Sequence, residues 1–152
     1  MDKKYLSKVI FTFIVGVTLG IGTFTAFAGV AEGSWKYYGP TNGYSYKNIA
    51  RVYVSDNPSN GYMYAQTYAG KDGTGTVPTG YIGAQARLYR YDALVTSTNT
   101  VYNSSAAEYL SVCTSTSYNG GTGSYYSKGT SYAYNGNGYT SYSTYQSPSQ
   151  TY

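Results

Sequence analysis

Tyr81-Ile82-Gly83-Ala84-Gln85-Ala86-Arg87-Leu88-Tyr89-Arg90 is the stretch that decides the fold class. Ile82, Ala84, Ala86 and Leu88 take one set of alternate positions, and Tyr81, Gly83, Gln85, Arg87 and Tyr89 take the other. Successive side chains of a strand point to opposite faces, so the pattern predicts a strand with one dry side and one wet side. Arg87 and Gln85 mark the wet side, which therefore also displays Tyr81 and Tyr89. The same period of two recurs from Tyr62 to Ala69, where Tyr62, Tyr64, Gln66 and Tyr68 alternate with Met63, Ala65, Thr67 and Ala69. Around Ile49 to Val54 it sets Ala50, Val52 and Val54 against Ile49, Arg51 and Tyr53.

Turn signals separate these runs. Asp56-Asn57-Pro58-Ser59-Asn60-Gly61 combines a preset proline dihedral with an Asn-Gly step that tolerates positive φ. Lys71-Asp72-Gly73-Thr74-Gly75 and Asn119-Gly120-Gly121 are further breaks, and Asn135-Gly136-Asn137-Gly138 reads as a hairpin. Ser105 to Leu110 is either a short helical turn or another strand. The expected fold is all-β, a small antiparallel β-sandwich of about seven or eight strands.

The 152 residues suffice for one ordinary domain. Charged residues are 11% of the chain, histidine is absent, and there is a single cysteine. Those counts exclude histidine-dependent catalysis, an intramolecular disulfide framework and Cys/His zinc sites. Tyrosine is the anomaly, with 23 copies against one tryptophan and four phenylalanines.

Residues 1–28 read as a secretory signal. Lys3, Lys4 and Lys8 form a positive head, an uncharged apolar run follows, and Ala26-Phe27-Ala28 places small residues where a signal peptidase reads. The alternative is an uncleaved anchor, since the run is long enough to span a bilayer. The expected arrangement is a signal peptide over 1–28, cleaved after Ala28, and a single Tyr-rich domain over 29–152, released from the cell. That domain retains 22 tyrosines but no phenylalanine, and its seven Lys/Arg and five Asp/Glu leave a net charge of +2. So small a charge gives no case for nucleic acid. No membrane anchor is expected after cleavage.

Large aliphatics are few in 29–152, so the expected core is thin and some rings must help fill it, with Trp35 and Tyr109 the leading candidates. Cys113 is expected to be buried as a small apolar residue, the alternative being a bond to another chain. The remaining tyrosines should form exposed cross-strand ladders. The segment from Tyr118 to Tyr152 either completes the sandwich or self-assembles, and Pro148 suggests a frayed end.

The most suggestive functional feature is a tyrosine-lined face carrying Tyr81, Gln85, Arg87, Tyr89, Tyr64 and Gln66, with Lys128 nearby. Phenol rings pack against the CH faces of sugars, while amide and guanidinium groups bind hydroxyls or anions. That chemistry suits an envelope polymer or glycan; the alternative is a β surface that uses tyrosine only for strand propensity. No catalytic residue, metal ligand or cofactor is implied. The five acids of 29–152 are scattered, and the serines have neither a histidine base nor a GxSxG elbow.

Glu32-Gly33-Ser34-Trp35, followed by Tyr38-Gly39 and Tyr44-Ser45-Tyr46, resembles the start of lactococcin-like secreted bacteriocins. Gly80-Tyr81-Ile82-Gly83-Ala84-Gln85-Ala86 is similar to a later strand in them. The resemblance spans roughly the first half of residues 29–152. It implies a small β-sandwich that attacks the envelope of related bacteria, although this chain is longer and lacks the histidines common in that family.

Overall fold

The computed structural model describes residues 29–55, 61–116 and 118–152; the signal, with Ala26 and Ala28, and positions 56–60 of the first turn lie outside them. Among the described residues there are thirteen strands and no helix, as expected of a chain rich in Tyr, Thr and Ser. In chain order they are β1 (Gly29–Glu32), β2 (Lys36–Thr41), β3 (Tyr44–Val54), β4 (Met63–Lys71), β5 (Ile82–Gln85), β6 (Arg87–Arg90) and β7 (Ala93–Ser97). Then come β8 (Val101–Tyr102), β9 (Tyr109–Cys113), β10 (Ser124–Ser127), β11 (Thr130–Tyr134), β12 (Tyr139–Ser143) and β13 (Gln150–Thr151).

β3 is the spine of a five-stranded antiparallel sheet. β4 pairs along one side of it from Tyr46↔Lys71 to Val54↔Met63, β1 and β2 share the other side, and β9 lies beyond β4. Two four-stranded sheets, ordered β13-β10-β6-β7 and β12-β11-β5-β8, form the opposing layer. Only Ala86 separates β5 from β6, and only Lys128 and Gly129 separate β10 from β11. The two small sheets are therefore halves of one layer whose long strands break midway. These breaks account for part of the excess of thirteen strands over the seven or eight expected.

Each half-layer seals its own core. Val52, Val54, Met63 and Ala65 pack against Ala86, Leu88 and Tyr125; Tyr46, Ala69 and Val112 pack against Ile82, Ala84 and Ala133. A polar seam lies between them, made of fully buried Asn48, Thr67, Ser127 and Ser131. Asn48 Nδ2 donates to Ser131 Oγ (2.7 Å) and to the Tyr142 carbonyl (3.1 Å), which offsets part of the cost of burying the amide. At the break, a Cβ on Gly129 would stand 1.8 Å from Thr67 Oγ1 and 2.7 Å from the Gln85 carbonyl oxygen, so only glycine allows the layers to approach this closely. One edge is clasped by Tyr38, whose ring stacks on Tyr142 at 3.9 Å and whose hydroxyl lies 2.8 Å from Ser131 Oγ.

The wet and dry faces of β4 and of the β5–β6 strand lie where the alternation puts them, whereas on β3 Ile49 shares the set of Arg51 and Tyr53 and is nevertheless buried. Met63, Ala65, Thr67 and Ala69 are buried while Tyr62, Tyr64, Gln66 and Tyr68 point outward; Ile82, Ala84, Ala86 and Leu88 are buried while Gln85, Arg87 and Tyr89 are half-exposed. The Asn135–Gly138 hairpin forms as expected, joining Tyr134 to its partner Tyr139. Tyr91 (φ 46°) and Asp92 (φ 67°) make the two-residue turn between β6 and β7.

Four further expectations fail. Trp35 is half-buried and Tyr109 is 55% exposed; the rings that fill the core are Tyr46 and Tyr125, both at 0%. Tyr109 shares the outward set of β9 with Ser111 and Cys113, opposite to buried Val112. That phase also exposes Cys113, correcting its expected burial. Finally, the C-terminal segment is docked rather than frayed. β13 pairs with β10, Tyr152 exchanges two backbone hydrogen bonds with Gly123, and its ring covers Gly61. The segment after Tyr118 thus completes the sandwich.

Candidate functional site

The outward face of the five-stranded sheet has a polar centre between two groups of rings. Arg51 on β3 lies directly opposite Gln66 on β4, and Arg51 Nη1 donates to Gln66 Oε1 (3.3 Å). Tyr53 OH donates to the same oxygen (3.1 Å), while Gln66 Nε2 donates to Ser111 Oγ (2.8 Å). Arg51 Nε is paired with Glu32 Oε1 at 3.0 Å. These ties hold the arginine and the amide upright on the sheet. On one side Tyr53 and Tyr64 stack at 4.3 Å with 6° between their planes, with Tyr62 beyond them. A cleft of about 210 Å³ opens there beside Val30. On the other side Tyr68 stacks on Tyr109 (5.2 Å) and meets Trp35 edge-on (5.4 Å), with Lys47 Nζ 5.4 Å from the Trp35 centroid. Partial burial raises the pKa of Tyr64 and of Tyr68, so both phenols stay neutral well above pH 7. Burial also pushes the Cys113 thiol up, against a hydrogen bond with Gln66 that acts the other way.

The opposing layer repeats the scheme on the far side of the molecule. Arg87 Nη1 donates to Thr130 Oγ1 (2.8 Å), Nη2 donates to Gln85 Oε1, and Gln85 Nε2 donates to the Thr98 carbonyl (2.9 Å). Tyr89 stacks on the nearly buried Tyr126 at 4.9 Å, again with 6° between the planes. Burial, and then Asp92, raise the Tyr126 pKa. At the other end rings run in contact from Tyr81 to Tyr134 (4.9 Å), to Tyr139 (5.8 Å) and to Tyr102 (4.5 Å). Gly83 makes room for this run, because a Cβ there would stand 2.6 Å from Tyr102 Cε1. Lys128 is exposed beside the node, its backbone N–H donating to the Arg87 carbonyl (3.2 Å). Among the described residues the ion pairs are Lys47–Asp72 and Arg51–Glu32, so Arg87 meets only neutral acceptors.

The six expected site residues therefore do not form one face. Gln85, Arg87 and Tyr89 come together; Tyr81, expected beside them on the wet face, instead packs partly against the second core cluster, edge-on to Tyr44 at 5.8 Å, and Tyr64 and Gln66 lie on the opposite side of the sandwich. The reason is registry: β4 and the β5–β6 strand face each other across the core, so their wet sides point apart. Arg51, Tyr53, Ser111 and Trp35, the last expected in the core, belong to the first face, and Tyr126 and Thr130 to the second; none of them is among the expected site residues. A signal for them exists. Ala50-Arg51-Val52-Tyr53 and Ala86-Arg87-Leu88-Tyr89 are one motif written twice, Ala and the aliphatic inward, Arg and Tyr outward.

No protein family, curated protein or solved structure matches the chain. Function must be argued from these two surfaces alone.

Proposed function

We propose that this chain is an exported, non-enzymatic protein that binds cell-envelope polymers or glycans through its tyrosine-rich sheet faces. The observation that carries the reading is an arginine and a glutamine tied in place between stacked rings. Flat rings take the apolar faces of sugar units, and the guanidinium and amide supply directed hydrogen bonds to hydroxyl, carboxylate or phosphate groups. Pre-tied side chains lose little rotamer entropy on binding, which favours a recognition surface over a merely solvated one. Export rests on the charged head, apolar run and Ala26-Phe27-Ala28 of the leader.

The test is retention on purified, suspended peptidoglycan. The protein should sediment with the wall, and Gln66→Ala combined with Gln85→Ala should cut retention at least fivefold while the melting transition stays cooperative. Retention no greater than that of an unrelated protein of equal charge retires the proposal. Zones of growth inhibition on related bacteria would instead favour the bacteriocin-like reading.

A further inference from the structure

We infer that the protein is bivalent, carrying two like binding sites back to back, so that it cross-links the polymer it binds. The inference rests on the polymer-binding reading above and adds to it the number and placement of sites.

Three observations carry it. First, Ala-Arg-aliphatic-Tyr occurs at Ala50–Tyr53 and Ala86–Tyr89, on central strands of the two layers. Second, the surroundings match. Each arginine donates to a glutamine Oε1, and each tyrosine belongs to a parallel ring pair with planes 6° apart. Those pairs are direct cross-strand partners in both layers, Tyr53↔Tyr64 and Tyr89↔Tyr126. Third, Val52 and Leu88, the inward residues of the two motifs, lie in the same core cluster. The outward residues must then leave the molecule in opposite directions. Facing sheets pack roughly 10 Å apart, so one flat polymer strand cannot lie on both sites, whereas two strands can. A second site multiplies avidity on a repeating surface with no new kind of contact.

The experiment is clumping of dilute peptidoglycan suspensions, read by light scattering, with sedimentation measuring binding in the same samples. The protein should clump the suspension at intermediate concentration and release it in excess, when each site holds its own strand. Tyr64→Ala and Tyr89→Ala each disable one face. Each variant should still sediment with the wall, with affinity reduced several-fold, and its clumping should fall at least tenfold; the double variant should lose both. Should either alanine variant lose its cooperative melt, Gln66→Ala and Gln85→Ala replace the pair. If one single variant abolishes binding and the other changes nothing, there is one site and the inference falls while the binding proposal stands. Clumping that survives in both single variants points to self-association and also overturns it. If the unaltered protein does not bind the wall at all, the binding proposal fails first.

Discussion

Tyr46 and Tyr125 are equally buried but differ in what their hydroxyls meet. Tyr125 OH donates to the Gly121 carbonyl at 2.7 Å, whereas Tyr46 OH is buried without a hydrogen-bond partner. Tyr46→Phe should therefore be neutral or raise stability by about 1 kcal/mol, and Tyr125→Phe should lower it by about 1 kcal/mol, as read from urea midpoints. The same burial predicts alkaline sensitivity. Desolvation raises the Tyr46 pKa to about 12 and moves Tyr38, Tyr125 and Tyr126 upward as well. Their unfolded values lie near 10, so the unfolded chain ionises first as pH rises. The stability from these phenols is whole below about pH 10 and is lost as pH climbs towards 12. Thermal melts should shift downward over that window, with phenolate absorbance at 295 nm appearing together with unfolding. Which tyrosines go inside was only partly legible. Period two placed most of the aliphatics, with Ile49 an exception, and applied to β9 it also puts Tyr109 and Cys113 outside once Val112 is inside. Burial of Tyr125, by contrast, depends on a carbonyl delivered by the 119–121 turn, a contact no strand pattern contains.

At the scale of elements, the second layer breaks beside Gly129, whose missing side chain leaves room for Thr67 of the first sheet. Gly129→Ala should cost about 1–3 kcal/mol in denaturant unfolding, since Thr67 and the Gln85 carbonyl occupy the space its methyl needs. A loss below 0.5 kcal/mol would mean that the layers separate easily at the seam. The C-terminal strand gives a second check. Removing residues 149–152 deletes the Tyr152 ring from Gly61 and its two backbone bonds to Gly123, and should lower stability by about 2 kcal/mol. Local turn chemistry read the Asn135–Gly138 hairpin correctly but misread this tail. Pro148 signals only that regular structure pauses; the docking of Tyr152 is a long-range contact with Gly61, just before β4, and with Gly123.

At the scale of the whole molecule, a thin interior of small residues leaves most rings on two outer surfaces, each organised around an arginine. Those surfaces differ in charge. Glu32 neutralises Arg51, whereas among the described residues the hydrogen-bond partners of the Arg87 guanidinium are the neutral Thr130 and Gln85. Added salt should therefore weaken wall binding more in Tyr64→Ala, which relies on the Arg87 face, than in Tyr89→Ala. Equal salt slopes would show that the arginines contribute alike. The claim that glycan contacts the ring-flanked nodes can be read out by Trp35, the single tryptophan, which lies against Tyr68 on the first face. Gln66 and Tyr68 sit two residues apart on β4, roughly 7 Å, so a sugar chain on the node reaches the ring cluster. Titration with soluble peptidoglycan fragments should give a saturable change in Trp35 emission that Gln66→Ala weakens at least fivefold. Emission that stays flat while the protein sediments with the intact wall would contradict the claim.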